Sequence, residues 1–306
     1  MFFSVFSRIG IIFIILLVGA LARWRKLLSE QTTDGLCRIA IEVTLPFLYF
    51  YTLATSLNRT IFLSLWPLPL LAIGLTGVSL FFSWLFSARL KLNQKQRRTF
   101  IFLGTFGNYG FLAIPLAFAL FQEQGLLWMS MFNLGISFLY WTLGVTILKG
   151  HTDKGIRIFR NLIHNATIAL VLGLVVGLTS ISLPRFFLET AQLIGGSSIP
   201  LALIVIGSFL AAQRRRIGYS VKIISALVFL RLIFIPLLVL LSLQMFDHLP
   251  AILTVIIILQ AAMPSASTTP ILTKRFDADA ELAASGVFFT TLFSIVTVPF
   301  FISLAL

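Results

Sequence analysis

Gly107-Asn108-Tyr109-Gly110, followed by Pro115, interrupts an otherwise apolar run over residues 99–121. A run of that length is right for crossing a bilayer, but two glycines flanking an amide at its centre are poor material for a continuous helix. The helix is expected to break there. A second interruption of the same kind, Met263-Pro264-Ser265-Ala266-Ser267 with Pro270, lies inside the apolar run over residues 252–272. Backbone released from helical pairing in a membrane must be buried in protein or line a polar cavity, because lipid offers it no partner. Two such breaks in matching places point to a solute site at mid-membrane.

The rest of the chain is consistent with this setting. Of its 306 residues, 58% are hydrophobic and only 11% charged, and the mean hydropathy is +1.03. Such a composition excludes a soluble domain of this size. The expected fold class is an all-α membrane protein with ten transmembrane helices. The spans are residues 3–22, 33–57, 66–86, 99–121, 126–148, 166–183, 193–212, 221–246, 252–272 and 282–306. Residues 1–22 resemble a signal peptide, but Arg23, Arg25 and Lys26 directly after them outweigh Arg8 before them. They are therefore read as an uncleaved first helix. Cys37 is the single cysteine, which leaves no intramolecular disulfide and no cysteine-based zinc site.

A net charge of +13 would suggest nucleic acid in a soluble chain, but its distribution assigns it elsewhere. Basic residues gather on alternate loops: Arg23, Arg25, Lys26 and Arg38; Arg89, Lys91, Lys95, Arg97 and Arg98; Lys149, Lys154, Arg157 and Arg160. Arg214, Arg215, Arg216 and Lys222 follow, then Lys274 and Arg275, while only Arg8, Arg59 and Arg185 fall on the other side. The positive-inside rule places the odd-numbered loops in the cytoplasm and both termini outside. The partner of this charge is the anionic face of the lipid bilayer, with no role for nucleic acid.

The ten spans divide into two sets of five. Pro46 and Pro200 are 154 residues apart and Pro115 and Pro270 are 155 apart, so two landmarks keep nearly one offset across half the chain. An odd number of spans per set makes the second enter from the opposite side. A 5+5 inverted repeat follows, with the two broken crossover helices, spans 4 and 9, antiparallel. The division is residues 1–148 for the first five-helix repeat, 149–165 for a short cytoplasmic linker and 166–306 for the second. His151, Asp153 and His164 in the linker are read as solvated.

At each break one half-helix ends in free carbonyls and the next begins with free amides, each end carrying about half a charge. Amides favour an anion and carbonyls a small cation. The candidate substrate-binding residues at the breaks are Gly107, Asn108, Tyr109, Gly110, Pro115, Met263, Pro264, Ser265 and Ser267. The alternative is that the glycines only permit close packing and the prolines only kink. Arg231 lies about ten residues into the eighth span, roughly 15 Å deep. A buried arginine there either binds a carboxylate or ties helix ends together through their carbonyls. Asn133, in the fifth span, either reaches the first break or bonds a neighbouring helix. Gln260 and Glu42 are the candidate ion-coupling residues, Glu42 having the local alternative of pairing with Arg38 at the i, i+4 spacing.

Enzyme motifs are lacking: there is no His-Glu-x-x-His, Gly-x-Ser-x-Gly or phosphate-binding loop, and no pair of membrane-embedded aspartates. The chain is expected to be neither an enzyme nor a carrier of a cofactor or metal.

Taken together, Asn108 to Leu116, Ala262-Met263-Pro264-Ser265-Ala266, Thr290-Thr291-Leu292-Phe293-Ser294 with Pro299, and Leu45-Pro46 resemble the auxin efflux carrier family in its prokaryotic branch. The resemblance covers essentially the whole chain. It implies the ten-helix inverted-repeat fold shared with bile acid sodium symporters, in which helices 1, 2, 6 and 7 form a panel. Helices 3 to 5 and 8 to 10 then form a transport core. It also implies a small organic anion as solute, such as auxin in plants or a dicarboxylate in bacteria, and a homodimer. The plant carriers have Asn-Pro-Asn-type breaks and a long middle loop. Here the break reads Gly-Asn-Tyr-Gly and the loop is short, which argues against auxin itself. The expected function is a secondary transporter of a small carboxylate by alternating access, in the efflux direction, with H+ or Na+ as the candidate coupling ion. The alternatives are a sodium-coupled symporter of bile-acid-like amphipaths and a non-transporting sensor or channel.

Overall fold

The computed structural model describes residues 2–150, 164–179, 181–212, 219–246 and 249–305, with side chains from residue 10 onward. His151 and Asp153 of the expected linker, and the Arg214-Arg215-Arg216 cluster, lie outside the described residues. Among the described residues, every regular element is helical. Six helical segments are long and apolar enough to cross a membrane: Glu30–Ser56, Arg59–Arg89, Ala113–Lys149, Arg185–Ala212, Val221–Leu243 and Ala280–Ala305. Three shorter apolar helices accompany them, Gly10–Trp24, Asn165–Thr179 and Ala251–Ala261.

In chain order the helices used below are α1 (Phe2–Trp24), α2 (Glu30–Ile39), α3 (Leu45–Ser56), α4 (Arg59–Leu65), α5 (Pro67–Arg89), α6 (Gln94–Thr105) and α7 (Ala113–Leu139). They continue with α8 (Val145–Lys149), α9 (Asn165–Thr179), α10 (Arg185–Gly196), α11 (Ser198–Ala212), α12 (Val221–Phe229) and α13 (Ile235–Leu243). The last three are α14 (Ala251–Ala261), α15 (Thr269–Arg275) and α16 (Ala280–Ala305).

Prolines shape two of the long segments through widened turns. A π turn at Ala40–Thr44 joins α2 to α3, and the Leu45 N–H reaches back to the Ala40 carbonyl. Pro46 follows immediately. Its ring cannot sit against the carbonyl four residues back in a regular helix, and the extra residue in the turn relieves that clash. Leu230–Phe234 repeats the device ahead of Pro236, with Ile235 N–H donating to Leu230 O. Arg231 therefore stands in a π turn. The fourth and fifth expected spans are divided at Gln122, whose φ of 53° and ψ of −138° leave helical space inside α7. The reversal is tight: a Cβ on Gly125 would meet the Ala117 carbonyl oxygen at 2.2 Å.

The chain forms two compact units that each draw on both ends of the sequence. The described residues of Met1–Ala72, Gly110–Trp141 and Gly155–Ala212 make one, and those of Ile73–Tyr109, Thr142–Lys154 and Gln213–Leu306 the other. In the first, helices approach through glycines, as expected where lipid gives no hydrophobic drive between apolar helices. A Cβ on Gly207 of α11 would lie 1.9 Å from Leu16 O of α1, and one on Gly19 of α1 would lie 2.2 Å from Ile204 O. Gly173 and Gly177, one turn apart on α9, similarly seat against Phe50 and Leu53 of α3. Thr33 and Ser208 share a buried hydroxyl hydrogen bond of 2.7 Å between α2 and α11.

The second unit is fastened at one end by a polar clasp. Tyr219 donates to the Asp279 carboxylate and accepts from Gln96 Nε2 at 2.9 Å. Asp279 also caps α16 through Leu282 N–H and donates its own N–H to Thr99 Oγ1 of α6 at 3.0 Å. Burial first, and then the Asp279 carboxylate beside it, push the Tyr219 phenol above its usual range. The clasp registers the start of α6 against the start of α16.

Backbone atoms cannot retreat as side-chain tips can, so Gly207→Ala and Gly177→Ala should each destabilise the protein by about 1–3 kcal/mol. Gly74, with open space where a Cβ would go, is the control. Thermal unfolding in detergent should show both variants melting lower and Gly74→Ala melting unchanged or higher.

Candidate functional site

The helix of the expected fourth span stops at Thr105, the next helix beginning at Ala113, and that of the expected ninth stops at Ala261, the next beginning at Thr269. Between these ends the second unit brings the breaks face to face. Asn108 N–H donates to Pro264 O at 2.7 Å and Ala266 N–H donates to Phe106 O at 3.0 Å, forming an antiparallel bridge centred on Gly107 and Ser265. Each break thus supplies the partners that the other lost on leaving the helix.

Side chains complete the junction. Asn108 Nδ2 donates to Ser267 Oγ at 2.6 Å, and Ser265 Oγ donates to Leu103 O in the last turn of α6 at 2.9 Å. The Ser265 N–H finds Thr290 Oγ1 on α16 at 3.2 Å, and Thr290 passes its own proton to Gly286 O at 2.7 Å. Asn108, Tyr109, Met263, Ser265 and Ser267 are all buried.

Arg231 reaches into the same place and is 0% exposed, the one fully buried charge among the described residues. Its Nε donates to Met263 O at 2.9 Å, and its Nη2 to the Tyr109 hydroxyl at 3.1 Å and to Gln260 O at 3.5 Å. The guanidinium carbon stands 5.7 Å from the Tyr109 ring centroid, within cation–π reach. Nη1 is buried and donates to no group among the described residues. Glycine at position 107 makes the room: a Cβ there would sit 2.1 Å from Nη2. The positive charge lies at the carbonyl end of α14, where the helix dipole is negative and charge-assisted hydrogen bonds offset the loss of water. Of the two expectations for Arg231, the carbonyl-tying geometry is present.

Not every candidate converges here. Gly110 and Pro115 belong to the first unit, where with Ala40, Leu45, Phe111 and Ser198 they line a crevice too narrow to hold a solute. Asn133 donates to the Tyr49 hydroxyl at 3.0 Å, binding α7 to α3. Glu42 lies in the π turn, and its carboxylate accepts from Asn165 Nδ2 at 3.0 Å and stands 3.5 Å from His164 Nε2. Those partners from the start of α9 take the place expected for Arg38. Gln260 is buried beside the guanidinium, to which it offers its backbone carbonyl. Among the described residues no cluster of three His, Cys, Asp or Glu suited to a metal occurs. Thr290 is a participant that the sequence had not placed at the breaks. Its signal was a hydroxyl midway along an apolar span, in the Thr290-Thr291 pair.

A helical membrane protein with two mutually paired helix breaks and a buried cation between them has the anatomy of a transporter of small solutes. The chain belongs to the membrane transport protein family, the auxin efflux carrier-like family, which matches residues 4–302. It is 25% identical to an uncharacterized transporter of Methanocaldococcus jannaschii, the match spanning 94% of each chain. It is likewise 26% identical to an uncharacterized transporter of Methanothermobacter thermautotrophicus, again over 94% of each.

Thr290→Val should strand the buried Ser265 N–H and cost about 1–3 kcal/mol, whereas Thr290→Ser should hold most of the stability. Gly107→Ala should lower the melting temperature as well, by pushing the guanidinium off the Tyr109 hydroxyl. Melting curves of the three variants in one detergent check both statements.

Proposed function

We propose that this protein is a secondary transporter of a small organic anion, a carboxylate, working by alternating access, with efflux as its direction. The supporting observation is the paired break with a buried guanidinium beside it. Nη1 of Arg231 is the buried donor left over at this junction, and among the described residues no carboxylate is ion-paired with the guanidinium. A carboxylate entering this place meets hydrogen-bond donors and one full positive charge in a medium of low dielectric, where such contacts are strong.

The architecture that goes with this reading is ten spans arranged as a 5+5 inverted repeat over residues 1–148 and 166–306. Spans 4 and 9 are the broken crossover helices, and equal offsets between Pro46 and Pro200 and between Pro115 and Pro270 support the duplication. In the cytoplasmic membrane the basic loops face inward and both termini outward, and the working unit is a homodimer. The antiparallel bridge between Gly107 and Ser265 supports a reading in which the two breaks run in opposite directions.

The test is a thermal-shift screen of the purified protein against mono- and dicarboxylates, followed by flux measurements with whichever stabilises it. Asn108→Ala and Ser265→Ala should each weaken transport about tenfold or more, the equivalent of one charge-assisted hydrogen bond of about 1.5–3 kcal/mol. Both variants should still reach the membrane in normal amounts. Wild-type transport by both would remove the breaks from the solute path.

A further inference from the structure

The carbonyl end of a broken membrane helix is where a transporter of this build would hold a sodium ion. In this chain that end is already occupied. Arg231 Nε takes Met263 O at 2.9 Å, and Nη2 takes Gln260 O at 3.5 Å while also bonding the Tyr109 hydroxyl. We infer that Arg231 is a tethered counter-cation standing in place of a coupling metal ion, so that the protein binds its anionic solute independently of sodium. The inference rests on the anion-site reading above and names the ionic requirement of that same site.

Three observations carry it. The guanidinium is fully buried, and no carboxylate stands within ion-pair distance of it among the described residues. Its charge is therefore directed at peptide carbonyls and at the incoming solute. A metal cation placed on the same carbonyls would face a permanent positive charge at close range, without a carboxylate to offset the repulsion. Position 107 fits this assignment. Its missing side chain leaves the Nη2 position open, and any Cβ would close it. With one fixed positive charge already installed, a single carboxylate neutralises the site and no further ion has to travel with it.

The test uses the full-length protein in detergent, with sodium chloride and choline chloride at equal ionic strength as the probes and no organic solute present. The wild type should melt at the same temperature in both salts. Arg231→Gln, which uncovers the carbonyls and removes the charge, should gain a sodium-specific rise of a few degrees, and Arg231→Lys should stay silent to sodium. Sodium-specific stabilisation of the wild type would overturn the inference. So would an Arg231→Gln protein that folds but ignores sodium, because the carbonyl end would then need no cation. Should Arg231→Gln accumulate only when sodium is supplied during purification, the replacement is supported in its strongest form. If it fails in both salts while Arg231→Lys folds, sodium does not substitute for the guanidinium and the inference falls. None of these readings involves a carboxylate, so failure of the solute screen and failure of the counter-cation are seen separately.

Discussion

A peptide group inside a bilayer has no water to fall back on, and an N–H or C=O left without a partner there costs several kcal/mol. This protein interrupts two helices at that depth and meets the cost by making each interruption the partner of the other. The exchange is reciprocal: Asn108 N–H to Pro264 O one way, Ala266 N–H to Phe106 O the other. What the bridge leaves over is taken up by groups on the neighbouring helical segments. Thr290 takes the Ser265 N–H, Leu103 O takes the Ser265 hydroxyl and Arg231 takes Met263 O. The local irregularity is thus held by regular elements on several sides, which fixes its geometry.

Arg231 is tolerated for the same reason. A charge at that depth survives when carbonyls and a phenol replace its hydration shell, and the negative end of α14 provides them. The π turn at Leu230–Phe234 and the proline after it deliver the side chain from a helix that would otherwise run past. Gly107 completes the fit by being small. Substitution at any of these places acts on the others, because one guanidinium links the π turn, the Tyr109 phenol and the carbonyl end.

Much of this could be read in the amino-acid order, and the parts that could not have physical reasons. Glycine and proline inside apolar runs announced both breaks, because those residues act locally on the backbone. The pairing of the breaks is a contact between distant parts of the chain, which no local pattern encodes. Arg231 was conspicuous as a charge in a hydrophobic run, yet its choice of partner turned on a π turn whose cause, Pro236, lies several residues further along. Glu42 illustrates the opposite case: helical spacing favoured Arg38, but the Ala40–Thr44 turn abandons that spacing and Asn165 and His164 receive the carboxylate instead. Thr290 looked like any hydroxyl on an apolar helix. Only the position of Ser265 gives it a task.

The bridge also sets a timetable for biogenesis. Gly107 and Ser265 are 158 residues apart in the chain, so the earlier interruption leaves the ribosome on the order of ten to thirty seconds before its complement exists. Throughout that interval a half-finished segment must be sheltered by the insertion machinery or stay near the headgroups. A nascent chain arrested before the ninth span would carry that unmet demand permanently, which makes it a ready client for membrane proteases.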